Sequence, residues 1–211
     1  MTGRFSAVEA TAAQVVAHVL ASAATLSERR LVCVDGPAGS GKTTLAAALR
    51  RCTRDALRGT RRPGGRPGRP EVELLHMDDV FAGWEGLAAG MRTVADDVVA
   101  PLRQGLPGRY RRYDWHRGAF AEEHVVDPVS VLLVEGVGAG NAAYDEATTC
   151  LVWVEASPTV RLQRGLDRDG SGMREHWLAW RRQEDAMFDR ERTRERADLR
   201  VDGVTGRLTH T

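Results

Sequence analysis

The sequence predicts an α/β domain built on a doubly wound parallel sheet of about five strands with helices on both faces. Short apolar runs at 31–35, 72–76, 129–134, 150–154 and 199–202 alternate with stretches whose apolar residues recur every three or four positions. Strands that alternate with helices pair in parallel, because each crossover helix must pack back onto the sheet. The length, 211 residues, suits a single core spanning 1–211 rather than two cramped ones.

Taken in order, residues 8–28 carry Val15, Val16, Val19, Leu20 and Leu26 at helical spacing, which predicts an amphipathic opening helix within 1–29. The run at 31–35 ends in Gly36, and 42–52 reads as a helix, giving a strand, a glycine loop and a helix in succession. Residues 58–70 are almost wholly Arg, Gly and Pro, a composition that buries no core and predicts a mobile surface loop. Its five arginines could meet phosphate or RNA, but no aromatic residue is interleaved to stack on bases. The run at 72–76 leads into Met77, Asp78 and Asp79, and 94–102 reads as a helix cut by Pro101. Residues 109–115 read as an Arg/Tyr-rich loop. The apolar strand 129–134 is followed by Glu135 and by a turn of glycines, read as flexible, at 136, 138 and 140. Helices are predicted at 159–168 and 174–192, the second with Trp177, Trp180 and Phe188 as its buried stripe.

Composition narrows the function classes. A hydrophobic content of 42% with 28% charged residues suits a folded globular chain. The net charge of +1 gives no overall field to draw nucleic acid or an anionic membrane, so an anion site must be local. No apolar run approaches the roughly 20 residues that span a bilayer, and the N-terminus lacks the pattern of a secretory signal, which predicts a cytoplasmic protein. Cys33, Cys52 and Cys150 are odd in number and widely spaced, as reduced structural thiols are, and His76, His116, His124 and His176 form no zinc pattern. A homo-oligomer is compatible with the sequence.

The strongest motif is Gly36-Pro37-Ala38-Gly39-Ser40-Gly41-Lys42-Thr43, followed by Thr44. It satisfies the phosphate-loop pattern G-x-x-x-x-G-K-S/T in the context that pattern requires. Glycines let successive N–H groups converge on phosphate oxygens, the helix N-terminus adds positive charge, Lys42 reaches the β and γ phosphates, and Thr43 offers a hydroxyl to Mg²⁺. Lys42 is the one lysine among 30 basic residues. The guanine-reading N-K-x-D of GTPases is therefore absent. ATP with Mg²⁺ is the expected nucleotide.

Other residues bear on the reaction. Asp78 and Asp79 follow the second strand, at the sheet edge where open α/β sheets bind ligands. One can accept the proton of an attacking hydroxyl and the other can serve Mg²⁺; Asp78 is favoured as the base, with Asp79 as a metal residue or a helix cap. Glu135, at the end of its strand, is placed for the metal or the attacking group. Arg161, Arg164 and Arg168 recur at three- and four-residue steps on one helix face, as a clamp over transferring phosphates would. With the glycines that follow, 161–175 reads as a short helical lid. In 109–115, aromatic rings could stack on a base and Asp114 could accept from a sugar.

Taken together, G-P-A-G-S-G-K-T-T, L-H-M-D-D-V-F at 75–81, R-Y-R-R-Y-D-W at 109–115, V-E-G-V at 134–137, V-R-L-Q-R at 160–164 and R-A-D-L-R-V-D-G at 196–203 resemble the uridine kinase group of P-loop kinases, in order, over about 30–203. The resemblance implies ATP-dependent phosphorylation of a small-molecule hydroxyl acceptor, a uridine- or cytidine-like nucleoside. It also implies Asp78 on the 5′-hydroxyl, Tyr113 and Asp114 on the nucleoside, and Arg161, Arg164 and Arg168 on phosphates. Two departures concern the acceptor: Trp115-His116-Arg117-Gly118 follows the Tyr-Asp pair, and no counterpart of the hairpin that covers the nucleoside is legible. Pantothenate, a sugar or nicotinamide riboside are alternative acceptors for the same machinery, and a regulatory or RNA-linked ATPase is a reading of a different class.

Overall fold

The computed structural model describes residues 2–59 and 72–209. A six-stranded sheet forms from β1 (Arg30–Asp35), β2 (Val72–His76), β5 (Val131–Glu135), β6 (Cys150–Glu155), β7 (Leu199–Asp202) and β8 (Leu208–Thr209). The strand order is β2-β5-β1-β6-β7-β8, parallel throughout except for the antiparallel edge strand β8. The five expected strands are thus all present, and the sixth was too short to leave a pattern.

Both faces of the sheet are covered, which explains why its strands read as nearly continuous apolar runs. Successive side chains point to opposite faces. From β1, Leu31 and Cys33 enter one core, and Val32 and Val34 the other; from β5, Leu132 and Val134 part from Val131 and Leu133 in the same way. The second core is closed by α1 (Thr2–Ala21), through Val8, Val15, Val16 and Val19, and by α2 (Lys42–Gly59) through Leu45 and Leu49. The opening helix stops at Ala21, short of the expected 28, and Leu26 instead bridges Arg29 in the turn before β1. Arg58 belongs to the last turn of α2; from residue 60 the expected Arg/Gly/Pro loop lies outside the described residues.

The first core is covered by one continuous helical stretch and by the helix at Arg174–Glu191. The stretch comprises α3 (Leu87–Thr93), a wide π-turn segment (Val94–Val99) and α4 (Ala100–Arg103). The break expected at Pro101 is absent. Proline has no N–H to give, and the chain absorbs it by widening just upstream, where the Ala100 N–H reaches the Ala95 carbonyl, and by seating Pro101 in the first turn of α4.

Residues 109–115 are not a loop. β3 (Gly108–Asp114) pairs with β4 (Ala119–Val126) as an antiparallel hairpin, and Gly108 lies so close to the helical stretch that a Cβ would come 2.7 Å from Val98 Cα. Gly108 and Tyr110 face inward while Arg109 and Arg111 face solvent. The alternation of a strand is present, but arginines fill its outer positions, and β4 is exposed over most of its length. After β6, α5 (Pro158–Asp169) is capped by Ser157, and α6 (Arg174–Glu191) and α7 (Thr193–Arg196) lead into β7.

In register, Val34 and His76 both stand beside Glu135, and Asp35 stands beside Trp153. The ends of β1, β2 and β5 therefore open at one edge of the sheet, where the glycine loop and α2 begin.

Tight backbone contact at this edge generates a prediction. A Cβ on Gly203 would sit 1.8 Å from the Ser40 carbonyl oxygen, a backbone atom that cannot rotate away. Gly203→Ala should destabilise the fold by about 1–3 kcal/mol, read as a fall in the thermal midpoint of about 2–4 °C per kcal/mol.

Candidate active site

The phosphate loop joins β1 to α2. Gly39 has φ +78°, and a Cβ there would meet the Arg161 carbonyl at 2.5 Å, so both conformation and space require glycine. Lys42 opens α2 and is nearly buried; its amino group donates to the carbonyls of Gly36 at 2.6 Å and Pro37 at 3.0 Å. Ser40 Oγ is buried and finds no hydrogen-bond partner among the described residues.

Buried carboxylates hold this loop from both sides, and neither was anticipated. Asp35 is fully buried at the end of β1 and accepts from the N–H groups of Gly36 (2.6 Å), Gly138 (2.9 Å) and Gly140 (2.8 Å). Burial pushes its carboxyl up to about 6 despite these donors. The glycine run after β5 is therefore pinned, not a flexible turn. Glu184 of α6 is also fully buried; it accepts from the Ala38 N–H at 2.8 Å and from Arg161 Nη1 at 2.8 Å. Burial raises its carboxyl above the ordinary value.

That pairing corrects the expected arginine clamp. Arg161 is 5% exposed and engaged with Glu184. One helix face was inferred from the spacing, but the first arginine of that face points into the protein. Arg164 lines the cavity at this edge, donating to the carbonyls of Gly39 (3.1 Å), Ser40 (3.2 Å) and Gly203 (3.1 Å). Arg168 also lines the cavity, forked onto Asp169 and 5.7 Å from the Trp177 ring centre.

The cavity, about 810 Å³, brings together Ala38, Gly39, Gly41, Lys42, Thr43 and Thr44 with Asp78 and Glu135. Thr43 Oγ1 lies 3.3 and 3.4 Å from the two Glu135 oxygens, and His76 Nδ1 lies 2.6 Å from Glu135 Oε1. This hydrogen bond raises the His76 pKa above the usual histidine range. Asp78 is exposed to solvent where it opens onto the cavity; partial desolvation by its surroundings, and then the Glu135 charge, raise its carboxyl above the ordinary aspartate value.

Three expected residues lie elsewhere. Asp79 does not line the cavity; the charges that act on it are those of His76 and, from the hairpin, His124 and Arg112, and adjacent residues in the tight turn after β2 point apart. Tyr113 packs edge-on against Trp115 and Phe120, and Asp114 accepts from the N–H groups of His116 and Arg117, closing the hairpin turn. Trp115, the next residue, does enter the cavity, its indole N–H on the Asp78 carbonyl at 2.9 Å. Trp177 and Trp180 are buried as expected, yet they also line the cavity, with Phe81 and Trp84. Among the missed residues, Asp35 is the last residue before the phosphate loop, a position that could have drawn notice. Glu184 and His76 depend on tertiary pairing and left no sequence signal.

Thr43 and Glu135 are hard oxygen donors of the kind Mg²⁺ takes, and two such donors leave most of its octahedral positions to phosphate oxygens and water. The convergent loop N–H groups and Lys42 fit a nucleotide phosphate chain. Among the described residues, no helix is long and apolar enough to cross a membrane.

No family model and no curated protein matches the sequence. Solved structures do match. A possible uridine kinase from Bacillus stearothermophilus aligns over 82% of this chain and 88% of its own at 20% identity, with a TM-score of 0.56. A protein provisionally described as a fructose transport system kinase, from Silicibacter sp. TM1040, aligns over 89% and 95% at 19% identity and a TM-score of 0.49. The YGR205w protein aligns over 86% and 88% at 11% identity and a TM-score of 0.48. With its mostly parallel sheet, its glycine loop and the helices on both faces, the chain has the fold of the P-loop kinases, shared with that possible uridine kinase.

Proposed function

We propose that the protein is an ATP-dependent P-loop kinase that phosphorylates a hydroxyl of a small metabolite. A nucleoside of the uridine or cytidine kind is the acceptor that the resemblance favours; pantothenate, a sugar or nicotinamide riboside would use the same machinery. The supporting observation is a single cavity in which Asp78 faces the phosphate loop, with an aromatic chamber beside it. A plain ATPase has no use for that chamber.

In this reading the loop N–H groups and Lys42 hold the β and γ phosphates, and Thr43 and Glu135 hold Mg²⁺. Bound there, Mg²⁺ neutralises charge on the phosphoryl oxygens. Asp78 takes the proton of the acceptor hydroxyl as its oxygen bonds to the γ phosphorus and the bond to the ADP oxygen breaks. His76 fixes the orientation of Glu135. Arg168 adds positive charge at the cavity, while Arg161 acts through Glu184, which holds the Ala38 N–H and so the shape of the loop. Catalysis is then chiefly positioning and charge neutralisation.

The direct test is ADP release from Mg-ATP against a panel of nucleosides, pantothenate and sugars, with products weighed by mass spectrometry. One acceptor gaining one phosphoryl group supports the reading; ADP release with no phosphorylated acceptor overturns it in favour of an ATPase. Lys42→Ala should abolish turnover.

Asp78 must be ionised to act, so the rate is lost as pH falls through its value. Because that value is raised in the free protein, kcat/KM should decline on the acid side with a midpoint above the unperturbed 3.8. Asp78→Asn should lower kcat by about 10²–10⁴-fold, remove this limb and leave ATP binding intact. Full activity in that variant would pass the role to Glu135.

Glu184→Ala would strand the Arg161 guanidinium in the interior, at a cost of about 3–5 kcal/mol, visible as a lower thermal midpoint. Glu184→Gln keeps a carbonyl for the Ala38 N–H. It should raise KM for ATP more than it lowers kcat.

A further inference from the structure

We infer that the opening helix α1 serves the phosphate loop as well as the core, and that Thr11 is a positioning residue for the nucleotide. The link is the turn between β7 and β8. Its first residue, Gly203, lies against the loop: a Cβ there would stand 1.8 Å from the Ser40 carbonyl oxygen, and a Cβ on Gly41 would stand 3.3 Å from the Gly203 carbonyl oxygen. Three residues on, Gly206 lies against α1, where a Cβ would come 2.5 Å from Val8. Thr11, 4% exposed, donates its hydroxyl to the Gly206 carbonyl at 2.7 Å. Val15, Val16 and Val19 of the same helix serve the core by burial alone. A buried hydroxyl is costly without a partner, so the Gly206 carbonyl is what Thr11 adds. Both residues fall outside 30–203, the span of the sequence resemblance, and no motif announces their contact.

The turn can carry a displacement from one end to the other because it is closed on itself. Asp202 Oδ1 accepts from the N–H groups of Val204 and Thr205 at 2.7 and 2.8 Å, and the Asp202 carbonyl accepts from that of Gly206 at 2.7 Å. The Gly203 N–H is anchored on the Glu155 carbonyl at 2.8 Å, which leaves the Gly203 carbonyl to be aimed by the rest of the turn. Arg164 then fastens turn to loop, one guanidinium donating to the carbonyls of Gly203, Gly39 and Ser40 at 3.1, 3.1 and 3.2 Å. A peptide group is planar, so holding the Ser40 carbonyl fixes the direction of the Gly41 N–H, one of the loop donors that would meet a phosphate. Thr11, Gly206, Gly203, Arg164 and Ser40 thus form one connected path from α1 to the nucleotide.

The path deepens the kinase reading and rests on it only for nucleotide at the phosphate loop, so binding and turnover are measured separately on the full chain. Thr11→Val keeps the side-chain volume and removes the donor. Titration calorimetry well below the thermal midpoint should show it binding Mg-bound β,γ-imido-ATP about 2- to 30-fold more weakly, the range for a residue coupled to a ligand it does not touch. Thr11→Ser, which keeps the hydroxyl, should restore most of the affinity. Val15→Ala, a cavity in the core face of the same helix, should lower the thermal midpoint and leave the affinity unchanged. In the ADP-release assay Thr11→Val should raise KM for ATP and spare kcat. A lower thermal midpoint in Thr11→Val with unchanged affinity and KM overturns the inference, as does equal weakening by Thr11→Val and Val15→Ala. Should Thr11→Val not fold, hydrogen exchange on the unaltered protein decides: Mg-bound β,γ-imido-ATP should slow exchange at 203–206 and at 8–12 as well as at 36–43, and slowing confined to 36–43 sinks the idea. Nucleotide binding that depends on Thr11, with no acceptor phosphorylated, leaves the inference standing and ends the kinase reading. A phosphorylated acceptor, with affinity and KM for nucleotide indifferent to Thr11, does the reverse.

Discussion

Much of the site depends on one buried carboxylate. Asp35 stands at the end of the central strand with no exposure to solvent, and its oxygens gather N–H groups from the first residue of the phosphate loop and from two residues of the segment after β5. Parallel pairing brings those two chain segments side by side, but register alone does not fix the path each takes after leaving the sheet. The three donors fix both. Moving a carboxylate out of water is costly unless it is well solvated by the protein, and here burial still wins by enough to lift its pKa to about 6. The loop geometry is bought with that desolvation. Glu184 repeats the device on the opposite side of the loop, with Arg161 as its counter-ion and Ala38 as the loop residue it holds.

Charge in the cavity follows the same logic. Asp78, Glu135 and His76 are brought together by the ends of β2 and β5, and the raised values of Asp78 and His76 both trace in part to Glu135. Two carboxylates this close repel one another unless positive charge lies between or beside them. Lys42 supplies part of it, and a divalent cation on Thr43 and Glu135 would supply more. Thus the features that make the acids awkward in isolation are the ones that would favour cation and phosphate binding together.

The order of elements was legible because β1, β5 and β6 are buried along nearly their whole length and so write themselves as apolar runs, with the half-buried β2 and β7 flanking them. The phosphate loop was legible because its backbone demands glycine at fixed spacing. What was hidden shares a different physics. The hairpin of β3 and β4 carries arginine and glutamate outward, so its alternation does not look apolar. Arg161 and Arg164 are indistinguishable by helical spacing, yet one points to Glu184 and the other to loop carbonyls. The tryptophans at 177 and 180 satisfied a packing pattern, and nothing in that pattern reveals that Trp84, from a turn nearly a hundred residues earlier, packs against both of them and against Trp115 of the hairpin.

The scarcity of lysine has a structural reading in this light. Arginines across the molecule act as rigid forks on fixed acceptors: Arg30 on the carbonyls of Val19, Leu20 and Ser22, Arg194 on Glu155, and Arg164 on three carbonyls at the active-site edge. A planar guanidinium with several donors is suited to holding architecture in place, whereas an ammonium is a compact charge on a flexible stem. At position 42 the requirement is different. The Lys42 amino group rests on two loop carbonyls, and a single torsion-rich chain can carry it from them to a phosphate without disturbing the backbone that holds the rest of the site. The one lysine therefore stands where charge must be able to move, and the arginines stand where it must not.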